Sequence, residues 1–328
     1  MATQTASAPG VNFYRTALLR QEGILAAMLV VALIGLSSQS GEFLTADNLL
    51  NQGRLMTELG LMALPMTFVM ITGGIDLSVG STLGLAAILT GYAWHDWGLP
   101  LWSTIFVALI AGTLAGFANG FVITRTGMPP LIMTIGTLAL YRGLAEGISK
   151  AHSVRGYPEW FFVLGQGSVL GVPTQLWILL VGLILSWIVL ARTTFGRMLY
   201  AIGHNETAAR FSGIAVDRIK VLVYSFSGFM AGLAGYVFVS RVSTTRSDMG
   251  MGMELDVIAA VVLGGTSIFG GVGTIGGTAL GLILIQLLKD GLALTGVKGD
   301  ATIMVIGTVL ILSVLFTNFA QRRQGGDR

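Results

Sequence analysis

Residues 193–220 read TTFGRMLYAIGHNETAARFSGIAVDRIK, a polar stretch in an otherwise apolar chain. It carries Arg197, Arg210, Arg218 and Lys220 against Glu206 and Asp217. A charge at the centre of a bilayer costs roughly 2.5–3.5 kcal/mol even on the translocon-derived scale, so this stretch does not cross one. Within it, residues 205–211 predict a short helix. Asn205 caps its N-terminus, Ala208 and Ala209 favour helix, and Gly213 ends it. A short amphipathic helix in a basic loop between membrane spans is shaped to touch something soluble on the cytoplasmic side, and the expected partner is an ATPase.

The composition around this loop agrees. Of 328 residues, 53% are hydrophobic and only 11% charged. The mean hydropathy is +0.78. A soluble domain carries about 25% charged residues, so this surface is not made for water and the chain reads as a polytopic membrane protein. The 46 glycines are spread through apolar runs, where small residues let membrane helices approach closely. The absence of cysteine removes disulfides, thiolate chemistry and zinc–thiolate sites. His95, His152 and His204 are too scattered to suggest a metal centre. The net charge of +3 does not argue for nucleic acid, because the basic residues sit at membrane edges.

Ten apolar runs approach the roughly 20 residues that a bilayer requires. They are 24–36, 55–72, 77–93, 102–124, 130–149, 175–191, 219–240, 255–269, 274–289 and 301–319. The first is short, and is read as an uncleaved helix with a signal peptide as the alternative. With the N-terminus inside, eleven of the 19 Lys and Arg residues are cytoplasmic, seven lie opposite and Arg142 stays within a span. That bias is the expected one and puts both termini and 193–220 in the cytoplasm. The domain reading is a cytoplasmic tail (1–22), one transmembrane domain (23–320) and a second cytoplasmic tail (321–328). Lipid is the surrounding partner. The outer loop 150–174 holds Trp160, Phe161 and Phe162, which suit a short interfacial helix, with a re-entrant segment as the competing reading.

Several polar groups invite a role. Gly73 to Ser81, GGIDLSVGS, joins two spans with almost no linker. Asp76 there is placed to accept from the amides of Ser78 and Val79, or to act in translocation or gating. A second glycine-rich stretch, LGGTSIFGGVGTIGG from Leu263 to Gly277, is expected on the same side. The two reflect either an internal repeat or shared turn chemistry. No nucleotide-binding loop occurs, so ATP and magnesium, if used, belong to another chain and no cofactor is expected here. Arg142 and Glu146, four apart, are expected to pair on one helix face. Glu58 is expected near the outer surface within reach of water. Asn119 and Gln286 are mid-span polar groups for a neighbouring helix or a sugar. The outer segment 241–254, RVSTTRSDMGMGME, reads as a solvated loop, with Arg241, Arg246 and Asp248 as docking groups for a soluble binding protein.

Three segments carry a resemblance. TGGIDLSVGS (72–81), the pattern GR-x4-AIG-x-N-x2-AA-x2-SGI (196–214) and AVVLGGTSIFGGVGTIGG (260–277) resemble the ABC importer permeases of the ribose and autoinducer-2 type. The likeness runs from about Leu55 to Phe319. It implies an all-α, ten-helix membrane domain of the type II importer kind. It also implies a second permease, identical or similar, and a periplasmic or tethered sugar-binding protein. A cytoplasmic ATPase would dock on a coupling helix in the loop that corresponds to 193–220. By position, Asn205, Ala208, Ala209, Arg210 and Gly213 match the pattern. Ala208 and Ala209 would nest in a groove on the ATPase, and Arg210 with Glu206 would hold the helix. Stretches such as SDMGMG lean toward the autoinducer-2 or rhamnose branch.

The expected function is therefore an inner-membrane permease subunit that imports a monosaccharide or similar polyol without covalent chemistry. The rival reading is an ion-coupled secondary transporter using Asp76, Glu58 or the Arg142–Glu146 pair. An integral-membrane enzyme fits worst, because no nucleophile–base or metal-ligand cluster is present in the sequence.

Overall fold

The computed structural model describes residues 41–150 and 152–297, with scattered positions between 23 and 38 and between 301 and 311. The tails 1–22 and 321–328 lie outside the described residues, as do part of the expected span 24–36 and most of the expected span 301–319.

Among the fully described elements, four helices come first: α1 (Ala46–Ile71), α2 (Val79–His95), α3 (Thr104–Thr126) and α4 (Pro130–Ser149). Pro130 opens α4, where its missing N–H costs nothing. A 3₁₀ turn (Glu159–Phe162) and the one-turn helix α5 (Val163–Gln166) follow. The segment 150–174 therefore holds a short helical piece, with Trp160 exposed and Phe161 buried. Two two-residue antiparallel strands, β1 (Ser168–Val169) and β2 (Val172–Pro173), depart from the all-helical expectation. The remaining helices are α6 (Thr174–Arg192), α7 (Thr194–His204), α8 (Glu206–Phe211), α9 (Val216–Val242), α10 (Met253–Leu263) and α11 (Ile275–Leu294).

Among the described residues, six helices are long and apolar enough to cross a membrane: α1, α3 with the short turn before it, α4, α6, α9 and α11. Two expected spans fall outside these six. The run 77–93 forms the 17-residue α2 close to its expected bounds, whereas the run 255–269 yields only the 11-residue α10. Glycines explain the second case. Gly265, Gly270 and Gly271 adopt positive φ, so the chain turns where hydropathy alone reads a continuous helix.

Helix α1 runs through the middle and is buried continuously from Thr57 to Ile71. A close backbone contact joins α3 to α9. A Cβ on Gly112 would lie 2.2 Å from the Gly228 carbonyl, and one on Gly116 would lie 2.1 Å from the Tyr224 carbonyl. Conversely, a Cβ on Gly228 would lie 2.0 Å from the Gly112 carbonyl. The backbones touch, as small-xxx-small spacing permits in membrane helices.

The two glycine-rich stretches share turn chemistry. After α1, the Gly73 amide donates to Met70 O at 2.9 Å and the Gly74 amide to Val69 O at 3.0 Å. After α10, the Gly265 amide donates to Val262 O at 2.9 Å and the Thr266 amide to Val261 O at 3.1 Å. Both are Schellman closures with a left-handed glycine. The left-handed residue is the first glycine of one pair and the second of the other, so the paired glycines are out of register.

Both α2 and α10 are entered from non-helical chain packed against other helices. Residues 74–78 climb between α3, α4 and α9 before α2 begins. Residues 243–252 run down beside α2 before α10 begins. Thr245 lies against Gly91, the Met249 carbonyl against Gly84, and the Gly250 carbonyl against Gly80. At about 1.5 Å per residue, that descent covers about 16 Å. The sequence reading of 241–254 as a solvated loop fits the exposed Arg246, Asp248, Met251 and Gly252, but Thr245, Met249 and Gly250 pack against α2, and residues 241–242 and 253–254 belong to α9 and α10. Non-helical backbone is stable at membrane depth only when protein or a water-lined cavity satisfies it.

Candidate functional site: the coupling segment and the buried turns it touches

Thr193 caps α7 by accepting from the Gly196 amide at 3.3 Å. One face of α7 is apolar, burying Leu199 and Ile202. Asn205 ends α7 and caps α8, its Oδ1 accepting from the Ala208 amide at 2.9 Å. Gly213, at φ 83°, closes α8 in another Schellman turn. The short helix expected from residues 205–213 is thus formed with the caps expected of it.

Its charges interlock. Arg210 pairs with Glu206 at 2.8 Å and with Asp217 at 2.5 Å, and Lys220 reaches Glu206 at 2.5 Å. Partial burial raises the Glu206 pKa, but the bonds from Lys220 and Arg210 outweigh it and hold the carboxyl below its ordinary value. The same pairing, first with Asp217 and then with Glu206, raises Arg210. The network fixes α8 against the start of α9.

The exposed side of α8 differs from expectation. Ala209 is buried against its own chain and is not available to a partner. Ala208 and Arg210 are exposed, and Phe211 is 88% exposed. Phe211 went unremarked in the sequence, although an aromatic residue in a polar loop is the visible signal for it. Beside α8 lies a cleft of about 900 Å³ lined by Phe121, Arg125, Arg210, Ile214 and Arg218, among others.

Helix α7 connects this surface to the interior. A Cβ on Gly203 would lie 1.9 Å from Ile71 O and 2.3 Å from the Gly271 amide. The Gly271 amide itself donates to Ile71 O at 2.9 Å, and Tyr200 Oη donates to Gly273 O at 2.7 Å. The end of α7 therefore sits on both glycine turns at once.

One of those turns leads to Asp76. Its Oδ1 accepts from the Ser78 amide at 3.0 Å and from Ser78 Oγ at 2.7 Å. Its Oδ2 accepts from Ser227 Oγ of α9 at 2.9 Å. Ser78 Oγ also accepts from Asn119 Nδ2 at 2.8 Å, and Asn119 Oδ1 accepts from Tyr141 Oη at 3.3 Å. The structure thus gives Asp76 the Ser78 and Ser227 hydroxyls, where the sequence suggested the Val79 amide. The carboxylate ties the start of α2 to α9, and Ser78 and Asn119 extend the network to α3 and α4.

The other polar candidates are separate from this cluster. Gln286 donates to Gln52 Oε1 at 2.6 Å, and Gln52 donates in turn to Asp290, a contact between α1 and α11. Glu58 is fully buried rather than water-facing, and accepts from Arg241 Nε at 2.7 Å. Arg142 does not pair with Glu146. Its guanidinium donates to Ser247 O at 2.5 Å and to Met249 O at 2.8 Å, because the descending backbone offers carbonyls on its other side. Arg246 and Asp248 form an exposed ion pair with each other. Among the described residues, no group of three or more His, Asp or Glu side chains is placed to hold a metal ion.

Comparison with known proteins decides the class. A family profile described as "Branched-chain amino acid transport system / permease component" matches residues 48–314. The chain belongs to that permease family. It is 38% identical over 331 residues to the ribose import permease RbsC of Escherichia coli K12, covering 98% of this chain and 100% of the relative. It is 39% identical to RbsC of Bacillus subtilis over 88% of this chain and 89% of that protein. It is 37% identical to the autoinducer 2 import permease LsrD of Yersinia enterocolitica over 91% and 92% of the two chains. No solved structure matches significantly. The protein is a multi-pass transport subunit, the membrane permease of an ABC-type importer, and not a catalyst of covalent chemistry.

Proposed function

We propose that this permease carries a monosaccharide or a similar small polyol across the bacterial inner membrane, in the ribose and autoinducer-2 class. The names of its relatives support the solute class. A separate ATPase chain, holding ATP and magnesium, drives it, and a soluble or tethered binding protein delivers the solute. Two permeases, identical or similar, stand side by side, with the termini and 193–220 in the cytoplasm as the excess of basic residues inside suggests.

The observation that carries this reading is the seat of α7 and α8. A capped, charge-braced helix presents Ala208, Arg210 and Phe211 outward. Its neighbour rests through Gly203 on the turns at Ile71 and Gly271. Motion of an ATPase against α8 passes through α7 into the turns that precede α2 and α11. Transport becomes active because nucleotide state and gate state then have a shared free energy. On the outer side, the binding protein delivers solute above Arg246 and Asp248, while Arg241 is engaged by Glu58. Asp76 and Asn119 act as the buried hinge that those turns move, and Gln286 ties α11 to α1.

Phe211→Asp tests this. The expected result is a permease that reaches the membrane at normal levels but no longer retains its ATPase or couples hydrolysis to solute. Normal solute-stimulated hydrolysis in that variant would overturn the assignment of α8. Because Ala209 is buried, substitution there disturbs the permease itself and is the poorer test.

A further inference from the structure

The segment 243–252 combines two features that do not fit a lipid-facing wall. Its backbone is non-helical deep in the domain, and side chains along it are charged and open. Trp94, Trp97 and Trp102 mark the outer interface beside α2, two of them largely exposed, as interfacial tryptophans are. Gly84, which meets the Met249 carbonyl, lies about 15 Å below Trp94 along the helix. In a hydrocarbon layer of about 30 Å, that is close to the midplane.

Arg246 and Asp248, with side chains 58% and 53% exposed, sit between that level and the interface. Met251 is 76% exposed and Leu255 64% exposed, and Gly252 has open space around it. Glu146 is also exposed, one turn above Arg142 on α4. Glu146, Asp248 and Glu254 all lie within electrostatic reach of the Arg142 guanidinium. Arg142 in turn clamps the segment through Ser247 O and Met249 O. An open ion pair at this depth is too costly against lipid, and the non-helical backbone next to it also needs water or protein.

We infer that segment 243–252, with the first turn of α10 and the outer end of α4, is one wall of a water-filled access path reaching the middle of the membrane. Glu146 stands at its rim, Arg246 and Asp248 below, and Met251 and Gly252 at its floor. The wall suits an uncharged, hydroxyl-rich solute. Carboxylates at Glu146 and Asp248 accept from hydroxyls, and the Arg246 guanidinium donates to them. Because Arg246 and Asp248 neutralise each other, the wall does not select strongly for a charged solute. The solute class rests on the proposed import function, whereas the presence of water does not.

The chain has no cysteine, so single-cysteine variants need no altered background. Met251→Cys and Leu255→Cys, assembled with the whole importer in membranes, are exposed to a positively charged, membrane-impermeant methanethiosulfonate from the outer side. Leu170→Cys in the outer loop is the open control, and Ile184→Cys on α6 is the lipid-facing control. Labelling of Met251→Cys within about tenfold of the Leu170→Cys rate is expected, with Ile184→Cys at least a hundredfold slower. Labelling of both Met251→Cys and Leu255→Cys as slow as Ile184→Cys overturns the path, even if Phe211→Asp uncouples the ATPase as proposed. Slower labelling of Met251→Cys during measured ribose uptake supports solute at this wall. Unchanged labelling during the same uptake removes solute from it.

Discussion

The ion pair between Glu58 and Arg241 permits a quantitative test. Glu58 is 1% exposed and Arg241 23% exposed, and the pair ties central α1 to the C-terminal end of α9. Arg241→Ala leaves a carboxylate buried without its cation, which costs roughly 3–5 kcal/mol. Loss of the guanidinium over the Phe238 ring, 4.8 Å from its centroid, adds to the effect. Glu58→Gln removes the charge but keeps an acceptor, and is expected to cost about 1–3 kcal/mol. The double variant Glu58→Leu/Arg241→Leu removes both charges, and is expected to recover most of the loss, since a buried pair replaced by apolar side chains is often neutral. The assay is a thermal challenge of detergent-solubilised permease, following the monodisperse fraction by size exclusion. Arg241→Ala should melt far below wild type and the double variant close to it. An unchanged midpoint for Arg241→Ala would refute the reasoning, as would a double variant no better than the single one. Either result would return Arg241 to the role of a free docking group.

Gly116→Ala places a Cβ 2.1 Å from the Tyr224 carbonyl and should abolish monodisperse protein, whereas Gly136→Ala, with open space around it, should not. Asp76→Leu strands the Ser227 hydroxyl and the Ser78 amide, and is expected to cost at least about 1–3 kcal/mol, read in the same thermal assay. Uptake by the wild-type importer should persist with a protonophore present and stop on ATP depletion. The reverse would make Asp76 an ion-coupling carboxylate. Glu206→Ala should speed amide exchange across residues 205–213, since it removes the bond shared by Arg210 and Lys220, and an unchanged exchange rate would mean the caps alone hold α8.

What the sequence made legible was local chemistry. Asn205, Gly213 and the spacing of Glu206 to Arg210 specify α8 because caps and i,i+4 pairs act over a few residues. The runs 130–149 and 175–191 became helices at almost those bounds because hydropathy there is uninterrupted. The run 255–269 failed because hydropathy does not register a left-handed glycine, and α10 stops at Leu263. Partner identity was the least legible. Arg142 prefers the carbonyls of Ser247 and Met249 over Glu146, and Ala209 faces inward, because both depend on elements distant in sequence. The descent of 243–252 is likewise set by Gly80, Gly84 and Gly91, more than 150 residues earlier in the numbering.

The glycine crossing of α3 and α9 also bears on how the protein is made. About 100 residues separate the two helices, so at ribosomal speed α3 waits roughly 5–20 s in the bilayer before its partner emerges. During that interval Gly112 and Gly116 present bare backbone to lipid or to a chaperone of the insertion machinery. A chain truncated before Val216 never closes that groove. Such fragments are the ones a membrane quality-control protease should clear first, which makes the stripe a timer for biogenesis as well as a seam in the finished protein.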